Sequence, residues 1–124
     1  MTVIRWVLGK LILIWNRLTW PDAMEREPAR QAEVDASLSA YQLYELAACP
    51  FCVKVRRETR RLSIEQIRRR NVREEPAAME ELTSAGGKYQ VPCLRVASAD
   101  GKDEWIYESD DIIARLRADF AQAA

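Results

Sequence analysis

Residues 43–57 read LYELAACPFCVKVRR, and this stretch decides the fold of the 124-residue chain. A short apolar and aromatic run, typical of a buried strand, ends in a turn that contains two cysteines. A strongly basic segment with helical character follows that turn. We predict that Cys49 is the N-cap of this helix and that Pro50 is its first residue, where a missing N–H costs nothing. Cys52 then lies in the first turn.

The position of Cys49 has a chemical consequence. Unpaired backbone N–H groups and the positive end of the helix dipole point at its sulfur and favour the thiolate, which is the nucleophile. Lys54, Arg56 and Arg57 add positive charge nearby. A Cys-x-x-Cys pair between a strand and a helix therefore predicts a redox site. The alternatives are half of a zinc site or an inert pair. The chain has no histidine and only Cys93 as a further cysteine, so we expect no metal.

Three motifs, taken in order, resemble those of a glutaredoxin: Cys49-Pro50-Phe51-Cys52, then Val91-Pro92, then Glu108-Ser109-Asp110 before a final helix. The Glu108-Ser109 pair also resembles the glutathione-binding N-terminal domain of glutathione transferases. The resemblance covers roughly residues 41–121. It implies a thioredoxin-like βαβ-α-ββ-α fold with a four-stranded mixed sheet, whereas the residue pattern alone predicts only an α/β domain. The chain then divides into an amphipathic helix at 1–20, a linker at 21–38 and a glutaredoxin-like domain at 39–124.

Within the domain, breaks in the apolar pattern predict the order of the elements. The predicted elements are a strand from Tyr41, a helix from Cys49 to about Leu62, a strand at Ser63–Arg69 with Ile64 and Ile67 as its apolar residues, a helix from Pro76 to about Leu82, strands at Val91–Val96 and Trp105–Tyr107 joined by a hairpin at Ala99–Lys102, and a last helix with Ser109 as its N-cap.

The resemblance also implies the roles of the site residues. Cys49 attacks a disulfide, and Cys52 is either the resolving thiol or a bystander. Val91 offers its backbone N–H and C=O to glutathione, and Pro92 is expected in the cis form. Glutathione is the expected co-substrate. Its γ-glutamyl end is held by Glu108, Ser109 and Asp110, and its glycine carboxylate by Lys88. The full set of predicted contacts is Pro50, Phe51, Lys88, Val91, Pro92, Glu108, Ser109 and Asp110. Cys93 is expected to pack as a buried strand residue.

These observations predict a glutathione-dependent thiol–disulfide oxidoreductase that reduces protein or glutathione mixed disulfides. Two alternatives stay open: a protein whose two copies bridge an iron–sulfur cluster through Cys49 and glutathione, and a non-catalytic glutathione-binding interaction module. Three cysteines do not make a secreted disulfide framework, so we expect a cytoplasmic protein. Because 19 basic residues balance 19 acidic ones, we expect no nucleic-acid partner.

Residues 1–20 predict an amphipathic helix that ends at Pro21. Its apolar arc opposes Arg5, Lys10 and Arg17, and these charges argue against a spanning helix or a signal peptide. We expect this helix to lie on an anionic membrane surface, with a protein contact or self-association as the first alternative and a spanning helix as the last. Residues 21–38 read as a polar connector with a short helix around 29–36. The arc consists of Val3, Ile4, Val7, Leu8, Leu11, Ile14, Trp15 and Leu18.

Overall fold

The computed structural model describes residues 2–121. Its helices are α1 (Thr2–Leu18), α2 (Pro28–Ser37), α3 (Pro50–Arg61), α4 (Pro76–Ser84) and α5 (Ser109–Phe120), and its strands are β1 (Tyr41–Glu45), β2 (Arg68–Asn71), β3 (Cys93–Val96) and β4 (Glu104–Ile106). The strands form one sheet in the order β2-β1-β3-β4. β1 is parallel to β2 and antiparallel to β3, and β3 is antiparallel to β4. The predicted α/β fold with a four-stranded mixed sheet is confirmed.

Neighbouring residues of the central strands point to opposite faces of the sheet and make two cores. Leu43 and Leu94 join the larger core, which α2, α3 and α5 complete. Tyr44 and Cys93, their strand neighbours, join a smaller core with Leu82 of α4. Leu43, Tyr44, Cys93 and Leu94 are all fully buried. The sheet is thus covered on both faces, and the end of β1 is held firmly where the cysteine turn begins.

The second strand lies further along the chain than the predicted Ser63–Arg69. Ser63 adopts a left-handed conformation with φ of 55° just after α3, and the chain turns there instead of extending. Ile64 and Ile67 are buried, as expected, but they reach the core from this turn. Pairing with β1 begins only at Arg68, opposite Gln42.

The start of α5 differs from the prediction by one residue. Glu108, with φ of −83° and ψ of 131°, has the extended backbone of an N-cap, and no side chain caps this end. Its carbonyl accepts a hydrogen bond from the N–H of Ile112 at 2.8 Å. Ser109, predicted as the N-cap, is therefore the first helical residue.

The connector contains the predicted short helix, α2, which contributes to the larger core. Val34 and Leu38 are 6% and 3% exposed. The N–H of Met24 donates to the carbonyl of Arg61 at 2.9 Å, and the side chain of Gln31 donates to the carbonyl of Ser63. Residues 24–38 are therefore attached to the end of α3 and share the core of the rest of the chain. The division of the chain at residues 20 and 38 stays a prediction.

The N-terminal helix α1 packs beside α3 with the face opposite its apolar arc. Gly9 lies so close to the domain that an added Cβ would come within 3.3 Å of the Ala48 Cβ. Most of the arc points away from the domain, and its members are between 42% exposed (Val7) and 81% exposed (Leu18). Trp15 is the exception, because its ring lies beside Arg57 of α3. Within residues 2–121, no helix combines the length and the apolar character needed to cross a membrane.

Candidate active site

The cysteine turn connects β1 to α3 as the sequence predicts. Cys49 is the N-cap of α3 in an extended conformation, and Pro50 occupies the first turn. The carbonyl of Cys49 accepts the first helical hydrogen bond, from the N–H of Val53 at 2.9 Å. The Cys49 side chain makes no capping hydrogen bond, so its sulfur is not consumed in holding the helix. Cys49 is partly exposed, whereas Cys52 and Cys93 are buried.

Burial separates the two cysteines of the motif chemically. Burial raises the pKa of the Cys52 thiol to about 12, although its sulfur accepts a hydrogen bond from the N–H of Leu46. Burial also raises the pKa of Cys93 to about 12. Both thiols therefore stay protonated at neutral pH. Of the three cysteines, Cys49 is the one positioned to react with a disulfide in solvent.

A groove lies between the first turn of α3, the segment before β3 and the start of α5. Its walls enclose a cavity of about 280 Å³, and the peptide bond between Val91 and Pro92 is cis, as the resemblance implies. Phe51 forms one side and is 61% exposed, although it is a large apolar residue. The groove is lined by Phe51, Gln90, Val91, Pro92, Tyr107, Glu108 and Ser109.

Comparison with known proteins agrees with this geometry. A family model described as glutaredoxin matches residues 41–99, from β1 to just beyond β3. Residues 41–99 are therefore similar to the glutaredoxin family. The family consists of thiol–disulfide oxidoreductases that use glutathione as a partner and act on protein disulfides. No curated protein and no solved structure matches the chain.

Five of the predicted glutathione contacts line this groove: Phe51, Val91, Pro92, Glu108 and Ser109. Three others lie elsewhere. Pro50 faces a different cavity, beside Trp15 and Arg57. Asp110 is in an ion pair with Lys54 of α3. The Lys88 ammonium lies 5.3 Å from the ring centre of Tyr107, at the edge of the groove.

The structure adds groove residues that sequence reasoning missed. Tyr107 is one, and the side-chain amide of Gln90 lies 3.5 Å from its carbonyl oxygen. Gln90 directly precedes Val91, and Tyr107 directly precedes Glu108. The motifs indicate both residues if the neighbours of each predicted site residue are included.

A buried carboxylate also lies beside the cysteine turn. Glu45, the last residue of β1, is 5% exposed, and burial raises the pKa of its carboxyl. One of its oxygens lies 3.6 Å from the Arg56 guanidinium, and the other has no hydrogen-bond partner among the described residues. Arg56 also donates to the carbonyl of Ala47. The ion pair thus ties the N-terminal half of α3 to the end of β1.

The described part of the chain, residues 2–121, contains no group of three or more histidine, cysteine, aspartate or glutamate side chains arranged to hold a metal ion. Cys49 is the accessible sulfur that a single chain offers. A cluster would therefore need ligands from outside one copy of the chain.

Proposed function

We propose that the chain is a glutathione-dependent reductase of mixed disulfides in which Cys49 of the Cys-Pro-Phe-Cys motif is the nucleophile. One observation carries this proposal: the accessible cysteine lies at the N-terminus of α3, two residues before Phe51, which lines a groove that contains a cis X-Pro bond. Cys49 is the accessible thiol of the motif, while burial raises the pKa of Cys52 to about 12 and keeps that thiol protonated.

The proposed reaction has two exchange steps. The Cys49 thiolate attacks the glutathione sulfur of a glutathionylated client, the client–glutathione S–S bond breaks, and the client leaves as a thiolate that takes a proton from water. A Cys49–glutathione disulfide remains. The thiolate of a second glutathione then attacks the glutathione sulfur of that disulfide, which releases oxidised glutathione and restores the Cys49 thiolate. In the net reaction one free glutathione thiolate replaces the client in the disulfide: the client sulfur is reduced from disulfide to thiol, and the sulfur of the second glutathione is oxidised from thiolate to disulfide.

In this proposal the groove holds glutathione in an extended form. No backbone hydrogen bond within residues 2–121 uses the N–H or C=O of Val91, so both groups are available to pair with glutathione as an added strand would. Ser109 and Glu108 hold the γ-glutamyl end at the first turn of α5, where backbone amides favour a carboxylate. Asp110, which is paired with Lys54, also contacts the γ-glutamyl end. Lys88 contacts the glycine carboxylate from the edge of the groove. Pro50 fixes the conformation of the cysteine turn.

The test is turnover of a small glutathione mixed disulfide by the full chain. We expect Cys49→Ser to abolish turnover and Cys52→Ser to keep much of it, because free glutathione resolves the intermediate without a second protein thiol. Activity that survives in Cys49→Ser would overturn the proposal. Complete loss in both variants would move the protein to a dithiol mechanism. Glutathione binding without turnover would favour the non-catalytic module, and visible absorption after anaerobic reconstitution would favour the cluster-bridging alternative.

A second part of the proposal concerns α1, which we place on an anionic membrane surface. Its outward row of large apolar residues is exposed, and residues 2–20 contain no acidic side chain. An apolar helical face with basic flanks is typical of helices that lie in a membrane interface. The same row would also suit a protein contact or self-association, and a lipid experiment separates these.

Flotation with vesicles tests this placement. We expect the full chain to float with anionic vesicles at low salt and to be released by salt or by Leu11→Glu in the outward row. Ala29→Glu on the exposed surface of α2 makes the same change of charge away from α1 and is the control. Failure of the unaltered chain to float would favour the protein contact.

A further inference from the structure

Two cavities meet between α1 and the cysteine turn. One, of about 460 Å³, lies under the first half of α1, and the other, of about 370 Å³, includes Cys49. Both are lined by Arg5, Ala48 and Arg73. The three shared residues join them into one depression, here called the basic cleft, which runs along the first half of α1 and reaches Cys49. It lies outside the groove formed by Phe51, Pro92 and Ser109.

The charges of the basic cleft lack carboxylate partners. Most arginines of the domain are in ion pairs, but no salt bridge within residues 2–121 involves Arg5, Lys10 or Arg73. The Lys10 ammonium instead lies 5.7 Å from the ring centre of Trp6. Glu74 is the one acidic residue that lines the cleft. Three cations and one carboxylate beside a nucleophile make a surface complementary to negative charge.

We propose that the basic cleft binds an acidic segment of the client polypeptide, next to the cysteine whose disulfide Cys49 attacks. This inference rests on the reaction proposed above and names the class of client: proteins with aspartate or glutamate residues flanking the modified cysteine. Glutathione occupies the groove on one side of Cys49, and the client chain lies along the cleft on the other.

The geometry favours a peptide over a lipid head group as the occupant. Arg5 and Lys10 line the domain side of α1, whereas the apolar row that would enter a membrane points the other way. A chain that follows the cleft also arrives at Cys49, which a head group held at the surface of a bilayer does not require. Opposite charges across such an interface mainly determine which partner is accepted.

The test uses two synthetic peptides of equal length and one central cysteine, flanked by three glutamates in one and by three lysines in the other. Each is made in a glutathionylated form for turnover and with serine in place of cysteine for binding. We expect the full chain to bind and turn over the glutamate peptide at least about tenfold better at low salt, with the advantage shrinking as salt screens it.

Charge reversals locate the effect. We expect Arg5→Glu and Arg73→Glu each to reduce the preference for the glutamate peptide by about fivefold, since an exposed ion pair is worth up to about that factor. Arg17→Glu is the matched control, because Arg17 lies on the same helix but does not line the cleft, and it should keep the preference.

The outcomes distinguish this inference from the proposed reaction. Equal binding of the two serine peptides overturns the cleft, even if the small mixed disulfide is turned over. A preference that survives both Arg5→Glu and Arg73→Glu overturns it as well. Displacement of the glutamate peptide by anionic vesicles would assign the cleft to lipid. If the serine peptides show the preference but no disulfide is turned over, the cleft stands and the proposed reaction fails.

Discussion

One arginine of α3 makes several contacts with the C-terminal end of α1 and the residue that follows it. The Arg57 guanidinium donates to the backbone carbonyl of Thr19 at 2.7 Å and to its hydroxyl at 2.9 Å. Longer contacts reach the side chain and carbonyl of Asn16 at 3.2 and 3.3 Å. The same guanidinium lies 4.7 Å from the ring centre of Trp15. We therefore expect Arg57→Ala to release α1 from α3.

The expected size follows from these contacts. The two shorter hydrogen bonds contribute about 0.5–1 kcal/mol each at this partly exposed position, and the contact with the Trp15 ring adds about 0.5–1 kcal/mol. The sum, about 2 kcal/mol, shifts the docking equilibrium of α1 roughly thirtyfold. A released helix of 17 residues is marginal in water, so its backbone amides should then open readily.

Amide hydrogen exchange measured by mass spectrometry is the assay. We expect exchange in residues 2–18 to become faster by up to about thirtyfold in Arg57→Ala, while β1 and β3 keep their protection. Arg61→Ala is the control, because the Arg61 guanidinium bonds to Glu58 within α3 instead. Unchanged exchange in α1 would refute the reasoning, and equal acceleration throughout the chain would show general destabilisation.

Three further predictions concern the thiols and the polar network behind the sheet. At pH 8 we expect iodoacetamide to label Cys49 alone in the folded chain and all three cysteines in denaturant, as mass spectrometry would show; labelling of Cys52 at a similar rate would contradict its burial. The folded pKa of Cys93, about 12, lies above the reference value of 9.0, so between about pH 9 and pH 12 only the unfolded wild-type chain loses this proton and its free energy of unfolding falls. We expect that fall to be smaller in Cys93→Val, and denaturant melts at several pH values measure it. Glu81→Gln should lower the free energy of unfolding in urea melts by about 2 kcal/mol, because Glu81 accepts hydrogen bonds from Tyr44, Arg70 and Arg95. The guanidinium of Arg70, which is only 6% exposed, would then lose one of its charged partners. Glu75→Gln, on the exposed side of Arg70, should lower it by less than about 1 kcal/mol.

Local signals were sufficient for the elements next to the cysteines. Pro50 and Pro76 mark the starts of α3 and α4, and the turn around Gly101, with φ of 80°, separates β3 from β4. These signals act within a few residues, so they are visible in a single sequence. The groove residues followed because the resemblance linked three motifs that the fold brings to one place.

The sequence does not predict the position of the second strand, because the residues of this strand carry no pattern that indicates pairing. Arg68, Arg69 and Arg70 carry no apolar alternation, and Ile64 and Ile67 drew the prediction towards the preceding turn. The arginines form a strand because β1 lies alongside them, and charged residues are typical of an edge strand. Arg70 is buried only because Glu75 and Glu81 approach it from α4 and the turn before it.

The orientation of α1 was also beyond a single-helix pattern. The apolar arc marks the face that would bury most area, yet α1 docks through Gly9 because a residue without a side chain permits close approach to Ala48. Arg57, Asn16 and Thr19 then hold that orientation through polar contacts far apart in sequence. The pattern describes one helix, whereas the docking depends on what the domain presents to it.

The two faces of α1 therefore carry separate proposals, and point variants separate them where a deletion would not. Removing the helix would take away both the apolar row and one wall of the basic cleft. Leu11→Glu changes only the outward row and should alter flotation without changing peptide preference. Arg5→Glu changes only the domain side and should alter peptide preference while the apolar row stays intact. Hydrogen exchange in α1, compared with that of Arg57→Ala, shows whether either variant has instead released the helix from the domain.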